Sequence, residues 1–216
     1  MTALPRPTAL VADPQSSASL RVLCALHYKG LDLPLQALRL RAGEHRLEAH
    51  RALNPSQAVP VLMLDGGEVI TQSMAILEYL EACVPEPALM PTDAVLAARV
   101  RGLCGLIAAD IHPLTNMRVR QHLSATAGEA ASQDWVRHWS RDAQAALEGW
   151  LQRWAGQHAI GDRPTMADFF LAPAVFSMLR LGCPPQPGSR LAEVYQQALA
   201  LPAFARLRPA AALPAT

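Results

Sequence analysis

The chain has 216 residues, of which 51% are hydrophobic, and its 19 basic residues are balanced by 18 acidic ones. No run of five like charges occurs, which argues against nucleic acid or an anionic lipid surface as the main partner, because both favour basic clusters. No apolar run approaches the roughly 18 residues of a membrane span, so we expect no membrane association.

The amino-terminal run MTALPRPTALVAD lacks a charged segment followed by a long apolar stretch, and we therefore expect no secretory signal. The chain has 4 cysteines, and they form no C-x-x-C pair and no metal-ligand spacing. We interpret them as reduced thiols of a cytoplasmic protein that binds no metal.

The first 85 residues alternate strand-like and helix-like segments. TALVAD is a short β-rich run, residues 17–29 repeat apolar residues at helical spacing in a stripe that includes His27, and PLQALRL alternates like an edge or half-buried strand. EHRLEAHRAL is polar but helical in pattern. VPVLMLDGGEVI predicts a hairpin, and QSMAILEYLEACV predicts an amphipathic helix. This β-α-β-α-β-β-α order predicts a small α/β domain with a mixed sheet over residues 1–85.

The proline-rich run PEPALMPTD predicts a linker at residues 86–92, ahead of an all-helical domain over residues 93–216. Residues 94–111 are apolar at helical spacing. Residues 133–155 carry the 4 tryptophans, which we interpret as core packing.

A capping box is the clearest local signal in the second domain. Thr165 and Asp168 precede the apolar run FFLAPAVFSML in the order that lets each cap the other's backbone. One more helix is expected near residues 190–199, followed by a loose tail.

Two polar segments of the first domain point to a ligand. In NPSQAVPVL, Pro60 stands at a strand start, and a cis Val59–Pro60 bond would turn the Val59 amide and carbonyl outward, where they could pair with an extended peptide. In TQSMAI, Gln72 and Ser73 begin a helix, where backbone amides favour a carboxylate. Together the segments suit a short anionic peptide, whereas singly they could be a turn proline and a serine cap.

Two adjacent hydroxyls stand at the start of the first predicted helix. In SSASLRVLCAL, one of Ser16 and Ser17 could cap the helix while the other is solvated, or the pair could hold a ligand there.

The ordered set of segments resembles the cytosolic glutathione transferases, and most closely the zeta class, the maleylacetoacetate isomerases. SSASLRVLCAL is similar to that class's signature S-S-C-S-x-R-V-x-x-A-L. The runs ALNPSQAVPVLMLDGG, TQSMAILEYLEACVPEPALMP, ADIHPLTNMRV and IGDRPTMADFFLAPAV follow the family pattern in order, over roughly residues 8–210. The resemblance implies a thioredoxin-like amino-terminal domain and an all-α carboxy-terminal domain.

The resemblance also implies glutathione as cofactor and assigns site residues. Ser16 aligns with the catalytic serine and Ser17 with its neighbour, beside the glutathione sulfur. Glutathione itself would lie along Val59, Pro60, Gln72 and Ser73.

Substrate contacts are implied in the second domain. Arg180 aligns with a family arginine that can face the substrate site, although it could equally be a surface charge. His112 lies at a predicted helix interruption before Pro113. The related maleylpyruvate isomerases carry a segment similar to the one that holds His112 and Asn116, although a histidine before a proline is often only a structural hydrogen-bonding group.

Three positions depart from the family pattern. Ala18 replaces the signature cysteine, Gln15 replaces an arginine that commonly precedes the serines, and Ala58 replaces the glutamine before Val-Pro. The lost arginine weakens the isomerase interpretation more than the glutathione-binding one, because that cation would help to hold an acidic substrate.

The leading hypothesis is a glutathione-dependent cis–trans isomerase of a maleyl-type diketo acid, maleylacetoacetate or maleylpyruvate, in aromatic catabolism. One alternative is a zeta-like transferase that conjugates or dehalogenates small electrophiles. The other is a glutathione-binding module without turnover. The resemblance further implies a homodimer.

Overall fold

The computed structural model describes residues 4–207, which divide into two compact units between Leu89 and Met90. The division falls inside the linker predicted at residues 86–92.

The amino-terminal unit contains a mixed sheet with the strand order β2-β1-β3-β4. β1 pairs in parallel with β2 and antiparallel with β3, which pairs antiparallel with β4. The strands are β1 (Pro7–Ala12), β2 (Leu35–Ala37), β3 (Val61–Leu64) and β4 (Val69–Thr71). This is the predicted mixed sheet, and with its helices it forms a thioredoxin-like unit.

The two inner strands carry the buried side chains of the sheet. Ala9, Leu10, Val11 and Ala12 of β1 are all buried, as expected for a strand covered on both faces. All three residues of β2 are exposed. The predicted edge strand is therefore an edge of the sheet.

Three helices accompany the sheet: α1 (Ser17–Tyr28), α2 (Glu48–Leu53) and α3 (Ser73–Cys83). The polar segment that precedes α2 is not continuous with it. A 3-10 turn at Glu44–Arg46 ends at Leu47, whose backbone is extended (φ −66°, ψ 149°), so the pattern EHRLEAHRAL forms two short helices instead of one.

The buried face of α1 differs from the predicted stripe. Every residue from Ser19 to Leu26 is buried, whereas His27 is exposed and Lys29 just beyond the helix is buried. The assignment of His27 to the buried stripe was therefore wrong. The helix lies deep enough to be covered on most sides, and the buried Lys29 has its own partners.

Lys29 joins the end of α1 to α3 and to the segment after α3. Its ammonium donates to Glu81 Oε2 at 2.7 Å and to the carbonyls of Val84 and Pro87 at 2.6 and 3.0 Å. Glu81 in turn accepts from the Leu89 amide at 2.9 Å. All three ammonium protons are thus satisfied, which offsets the cost of burying this polar group.

Up to Leu207 the carboxy-terminal unit is built from helices, as predicted, with one isolated β-bridge between Ala155 and Gly161. Its helices are α4 (Ala94–Gly105), α5 (His112–Thr115), α6 (Met117–Ala127), α7 (Glu129–Trp154), α8 (Met166–Arg180) and α9 (Arg190–Ala200). Between α4 and α5 the backbone widens into a π-helical segment at Leu106–Ile111. Pro113 lacks an N–H and crowds the carbonyl four residues before it, and the wider turn accommodates both effects.

Helix α8 forms the centre of this unit, and its start is the predicted capping box. Asp168 is fully buried, and its Oδ2 accepts from the Thr165 amide at 2.8 Å. Its Oδ1 accepts from the Ala159 amide at 2.9 Å and lies 3.3 Å from His158 Nδ1. The aspartate therefore ties the loop before α8 to the helix.

The segment after α9 departs from the prediction of a loose tail. Pro202–Leu207 forms a 3-10 turn in which Phe204 and Leu207 are completely buried. The Phe204 ring lies 4.8 Å from that of Phe169, measured between centroids. The rest of the predicted tail lies outside the described residues.

Two glycines of α4 give opposite expectations for the same substitution. A Cβ at Gly102 would lie 2.9 Å from Cη2 of Trp150, whereas a Cβ at Gly105 would meet nothing within 4 Å. Alanine is favoured over glycine in a helix by about 1 kcal/mol. We expect Gly105→Ala to stabilise the protein by up to that amount. Gly102→Ala should destabilise it by about 1–2 kcal/mol, because Trp150 must move.

Urea unfolding of the two variants measures this difference, with Gly105→Ala as the matched control. Equal stabilisation by both would show that the Trp150 ring adapts without cost.

Candidate active site

Ser16 is the N-cap of α1, which assigns the capping role between the two adjacent serines. Its backbone is extended (φ −75°, ψ 127°), and its Oγ accepts from the Ser19 amide at 3.5 Å. An N-cap uses a lone pair of the hydroxyl, so the O–H proton of Ser16 stays available for a ligand. The same hydroxyl can therefore cap the helix and donate to a sulfur beside it.

Asp13 holds the turn that leads from β1 to Ser16. Its carboxylate accepts from the Gln15 amide at 2.8 Å and from the Leu40 amide at 3.0 Å. The Asp13 carbonyl accepts from the Ser16 amide at 2.9 Å. These three hydrogen bonds of Asp13 fix the position of Ser16 and its hydroxyl. No local pattern in the sequence marks Asp13 as part of the site.

The residues that follow Ser16 line the first turn of α1. Ser17 and Ala18 are half-buried, so the position where the family has cysteine carries only a methyl group here. Ser19 is fully buried, and within residues 4–207 its hydroxyl has no hydrogen-bond partner.

Val59 and Pro60 lie directly before β3, and the bond between them is cis, the condition under which the Val59 amide and carbonyl were expected to turn outward. The Val59 side chain is 7% exposed and belongs to a buried cluster with Val11, Leu38 and Val61. The core therefore fixes the residue whose backbone is expected to pair with a peptide ligand.

Gln72 and Ser73 lie at the start of α3. Gln72 is exposed and has a positive φ of 70°, and Ser73 is the first helical residue. The Ser73 hydroxyl accepts from Arg21 Nη1 at 3.1 Å, and Arg21 is only 2% exposed. A buried guanidinium thus adds positive charge at a helix start that already favours anions.

Arg21 is a residue that the sequence analysis missed as part of the site. Its signal was present, since a charged residue stands between Leu20 and Val22 in a buried apolar run. Such a residue needs a buried partner. The pattern alone does not say that the partner comes from α3.

The strand register brings these segments to one end of the sheet. Val61 pairs with Val11 near the end of β1 and with Thr71 at the end of β4. Ser16 follows β1, Pro60 directly precedes Val61, and Gln72 and Ser73 follow Thr71. The predicted catalytic and cofactor-binding residues of the first domain therefore lie at the same end of the sheet.

His112 and Asn116 lie together in the helical unit. The Nδ2 atom of Asn116 is 3.5 Å from Nε2 of His112, and Asn116 Oδ1 accepts from the Arg118 amide at 3.1 Å as the cap of α6. His112 begins α5 directly after the π-helical segment. The predicted helix interruption is thus present and places both side chains on one short turn.

Arg180 is the last residue of α8 and is exposed. Its guanidinium carbon lies 5.7 Å from the centroid of the Phe176 ring. This geometry supports a cation–π contact along the helix. Arg180 thus stands on a different helix of the unit from His112 and Asn116.

No group of three or more potential metal ligands occurs within residues 4–207. In the same range no helix is long and apolar enough to cross a membrane. None of the 4 cysteines forms a disulfide. Burial raises the pKa of the Cys83 thiol, so this side chain stays protonated at neutral pH.

The thioredoxin-like unit with a hydroxyl-capped first helix, followed by a helical unit, has the architecture of the glutathione transferases. Residues 15–83 match the family model of the glutathione S-transferase amino-terminal domain, and residues 133–197 match that of the carboxy-terminal domain. The chain belongs to the glutathione S-transferase family, in the zeta-class group of the maleylacetoacetate and maleylpyruvate isomerases.

Three relatives illustrate the match. The maleylacetoacetate isomerase of Pseudomonas aeruginosa is 41% identical over 91% of this chain and 93% of its own length. The holo structure of a bacterial zeta-class maleylpyruvate isomerase is 38% identical, with a TM-score of 0.87 over 96% of this chain and 99% of its own.

The third relative is the maleylacetoacetate isomerase of Anaeromyxobacter dehalogenans. Its structure with glutathione bound in the active site is 35% identical, with a TM-score of 0.84 over 94% of this chain and 96% of its own. Another structure of that enzyme contains dicarboxyethyl glutathione and citrate in the active site, with a TM-score of 0.83, 35% identity and coverage of 94% and 95% of the two chains.

Proposed function

We propose that the protein is a glutathione-dependent cis–trans isomerase of a maleyl-type diketo acid, either maleylacetoacetate or maleylpyruvate. One observation carries the proposal. The Ser16 hydroxyl, the Val59 edge and the start of α3 lie at the same end of one sheet. The Ser16 hydroxyl suits the glutathione thiol, the Val59 backbone suits the peptide backbone, and the amides at the start of α3 suit a carboxylate.

The residues present fit glutathione as a ligand. Its γ-glutamyl carboxylate is proposed to lie at the start of α3, near Gln72 and Ser73, where the buried Arg21 supplies charge. The backbone of Val59, just before Pro60, is proposed to pair with the cysteinyl residue. This arrangement directs the thiol toward the start of α1.

Ser16 is proposed to donate a hydrogen bond from its hydroxyl to the glutathione sulfur. An unperturbed thiol has a pKa of roughly 8.5, so most of it is protonated at neutral pH. A hydroxyl donor together with the amino-terminal end of a helix stabilises the thiolate and lowers that pKa. Ser17 stands next to Ser16 and could take part in the same contact.

Bound glutathione supplies a thiolate that adds reversibly to the conjugated double bond, so that rotation becomes possible before the sulfur leaves again. The protein must also stabilise negative charge that develops on the substrate's keto oxygen, and hold its carboxylates. His112, Asn116 and Arg180 are proposed for these roles. Asn116 Nδ2 and the ring of His112 are potential donors, and Arg180 is a cation.

Ala18 and Gln15 favour a second candidate function. Without the preceding arginine, the proposed site has one cation fewer to hold a dicarboxylate, and without the signature cysteine turnover or substrate preference should change. A transferase that conjugates or dehalogenates small electrophiles needs the thiolate but not that cation. A glutathione-binding module without turnover is the third hypothesis. The same two departures are its best support, and the retention of Ser16, Ser17, Gln72 and Ser73 counts against it.

The protein is further proposed to act as a homodimer in the cytoplasm, in the catabolism of aromatic compounds. The lack of a disulfide at Cys24, Cys83, Cys104 and Cys183 suits a reducing compartment. The family resemblance set out in the sequence analysis is the basis for the proposed pathway and dimer.

We expect the purified protein to bind immobilised glutathione and to isomerise maleylacetone only when glutathione is present, as followed by absorbance. Maleylacetoacetate and maleylpyruvate are then compared for kcat/KM. Normal glutathione affinity without isomerisation would reject the leading function and favour the conjugating or non-catalytic readings. Conjugation of a haloacid or an aryl halide separates those two.

A further inference from the structure

One backbone carbonyl just before the cis proline is held by two buried side chains. His50 Nε2 lies 2.9 Å from the Ala58 oxygen, and Asn54 Nδ2 donates to the same oxygen at 2.8 Å. His50 and Asn54 are each 4% exposed. The Oδ1 of Asn54 also accepts from the amide and the hydroxyl of Ser56, at 3.1 and 2.8 Å, so the asparagine is itself fixed in place.

These two donors set the direction of the next amide. Within residues 4–207 the cis bonds are those before Pro60 and Pro87, so the Ala58–Val59 peptide is trans. In a trans peptide the C=O and the N–H point in opposite directions. Because the Ala58 carbonyl faces His50 and Asn54, the Val59 N–H points away from α2.

The peptide is held on its other side as well. The Val59 side chain packs in the core with Val11, Leu38 and Val61. Rotation of the Ala58–Val59 peptide would break two hydrogen bonds to buried donors and disturb that packing. The direction of the Val59 N–H is therefore fixed before any ligand arrives, which reduces the entropy that a ligand must lose on binding.

His50 is the one fully buried residue of α2. A carbonyl only accepts, so Nε2 carries the proton that this contact uses. In the described part of the chain Nδ1 is buried without a partner. An unpaired buried nitrogen is destabilising, and an apolar side chain at this position would avoid that cost. The function that distinguishes histidine here is donation to Ala58.

We propose that His50 is a positioning residue for glutathione. Through the Ala58 carbonyl it directs the Val59 N–H toward the cysteinyl carbonyl of the bound tripeptide. The inference rests on the proposed function, because it takes the Val59 backbone as the edge along which glutathione lies. His50 does not touch glutathione in this arrangement, so its effect is on affinity and not on the chemical step.

The test uses the full chain and isothermal titration with glutathione. His50→Phe keeps an aromatic ring but removes the donor, and we expect the Kd for glutathione to rise about three- to tenfold, as for the loss of one hydrogen bond. The KM for glutathione should rise in parallel, while kcat at saturating glutathione stays within about twofold. His50→Gln retains a donor and should recover most of the affinity.

Two controls separate positioning from a general loss of stability. Leu147→Ala, in the core of α7, lowers stability without touching this loop and should leave the Kd unchanged. If His50→Phe does not fold, His50→Met replaces it in the same titration. In the parent protein labelled with ¹⁵N-valine, saturating glutathione should shift the Val59 amide signal.

Several outcomes would overturn the inference. They are a phenylalanine (or methionine) variant with the parent's Kd, a glutamine variant as weak as that apolar variant, and a Val59 amide that does not respond to glutathione. If the parent protein itself fails to bind glutathione, the proposed function fails first and the positioning role fails with it. Normal binding by both parent and apolar variant removes only the role of His50.

Discussion

Ser16→Ala is expected to lower kcat/KM for glutathione-dependent isomerisation by about 10²–10³-fold, the usual effect of removing one donor from a developing or stabilised anion. The Ser16 hydroxyl caps α1 through a lone pair, and in the proposed site its O–H donates a hydrogen bond to the glutathione sulfur. Its loss leaves the thiolate with the helix terminus alone. Steady-state rates with maleylacetone measure the change.

The pH dependence of the Ser16→Ala rate gives a second readout. A donor to the sulfur lowers the pKa of the bound thiol, so its removal raises that pKa toward the free value of roughly 8.5. The variant should therefore gain activity as the pH rises through that value, where the parent has already reached its plateau. Ultraviolet absorbance of the bound thiolate reports the same pKa directly.

Ser16→Gly separates the two roles of the side chain. Glycine is a tolerated N-cap that costs only a few tenths of a kcal/mol relative to serine, but it has no hydroxyl. We expect it to lose activity like the alanine variant while it keeps nearly the parent's stability. If Ser17→Ala shows the large loss and Ser16→Ala stays within a few-fold of the parent, the assignment of the catalytic hydroxyl is wrong.

A substitution at the buried Asp168 is expected to have a large effect on the stability of the protein. Asp168→Ala is expected to lower the free energy of unfolding by about 3–5 kcal/mol, because the Thr165 and Ala159 amides lose their buried acceptor. His158 loses its partner as well. This is a large part of the roughly 5–15 kcal/mol that stabilises a typical domain. Urea unfolding followed by tryptophan fluorescence reports the change, since all 4 tryptophans lie in α7.

Asp162 offers a matched control in the same loop. Its carboxylate accepts from the Gln157 amide at 3.0 Å, but the residue is exposed, so water replaces the lost acceptor. Asp162→Ala should cost about 1 kcal/mol or less. Similar losses in both variants would mean that burial of Asp168 is not the source of its effect. Asp168→Asn keeps one acceptor oxygen, so its loss of unfolding free energy should lie between those of Asp168→Ala and Asp162→Ala.

Features that depend on neighbours within a few residues could be predicted from the sequence. The turn between β3 and β4, the capping box of Thr165 and Asp168 and the interruption before Pro113 are all present as expected. Each rests on local backbone geometry or on a hydrogen bond that spans only a few positions. The cis bond before Pro60, which the sequence analysis gave only as a condition for ligand pairing, is also present.

Features that join distant segments could not be predicted in this way. Helical periodicity predicted that His27 lies on the buried face of α1, but His27 is exposed and Lys29 is buried. Lys29 can be buried because Glu81 and two backbone carbonyls from the segment after α3 accept hydrogen bonds from its ammonium group. Nothing within α1 indicates that partner.

The amino-acid sequence by itself determined the order of strands and helices, the helix caps and the short polar segments that are proposed to bind glutathione. Only the tertiary structure decided how those segments meet. The pairing of Val61 with Val11 and Thr71 brings three loops to one end of the sheet. Arg21 donates a hydrogen bond to Ser73, which lies 52 positions further along the chain. The physical reason is that local backbone preferences act over a few residues, whereas a buried charge or donor takes its partner from whatever segment the packed core brings beside it.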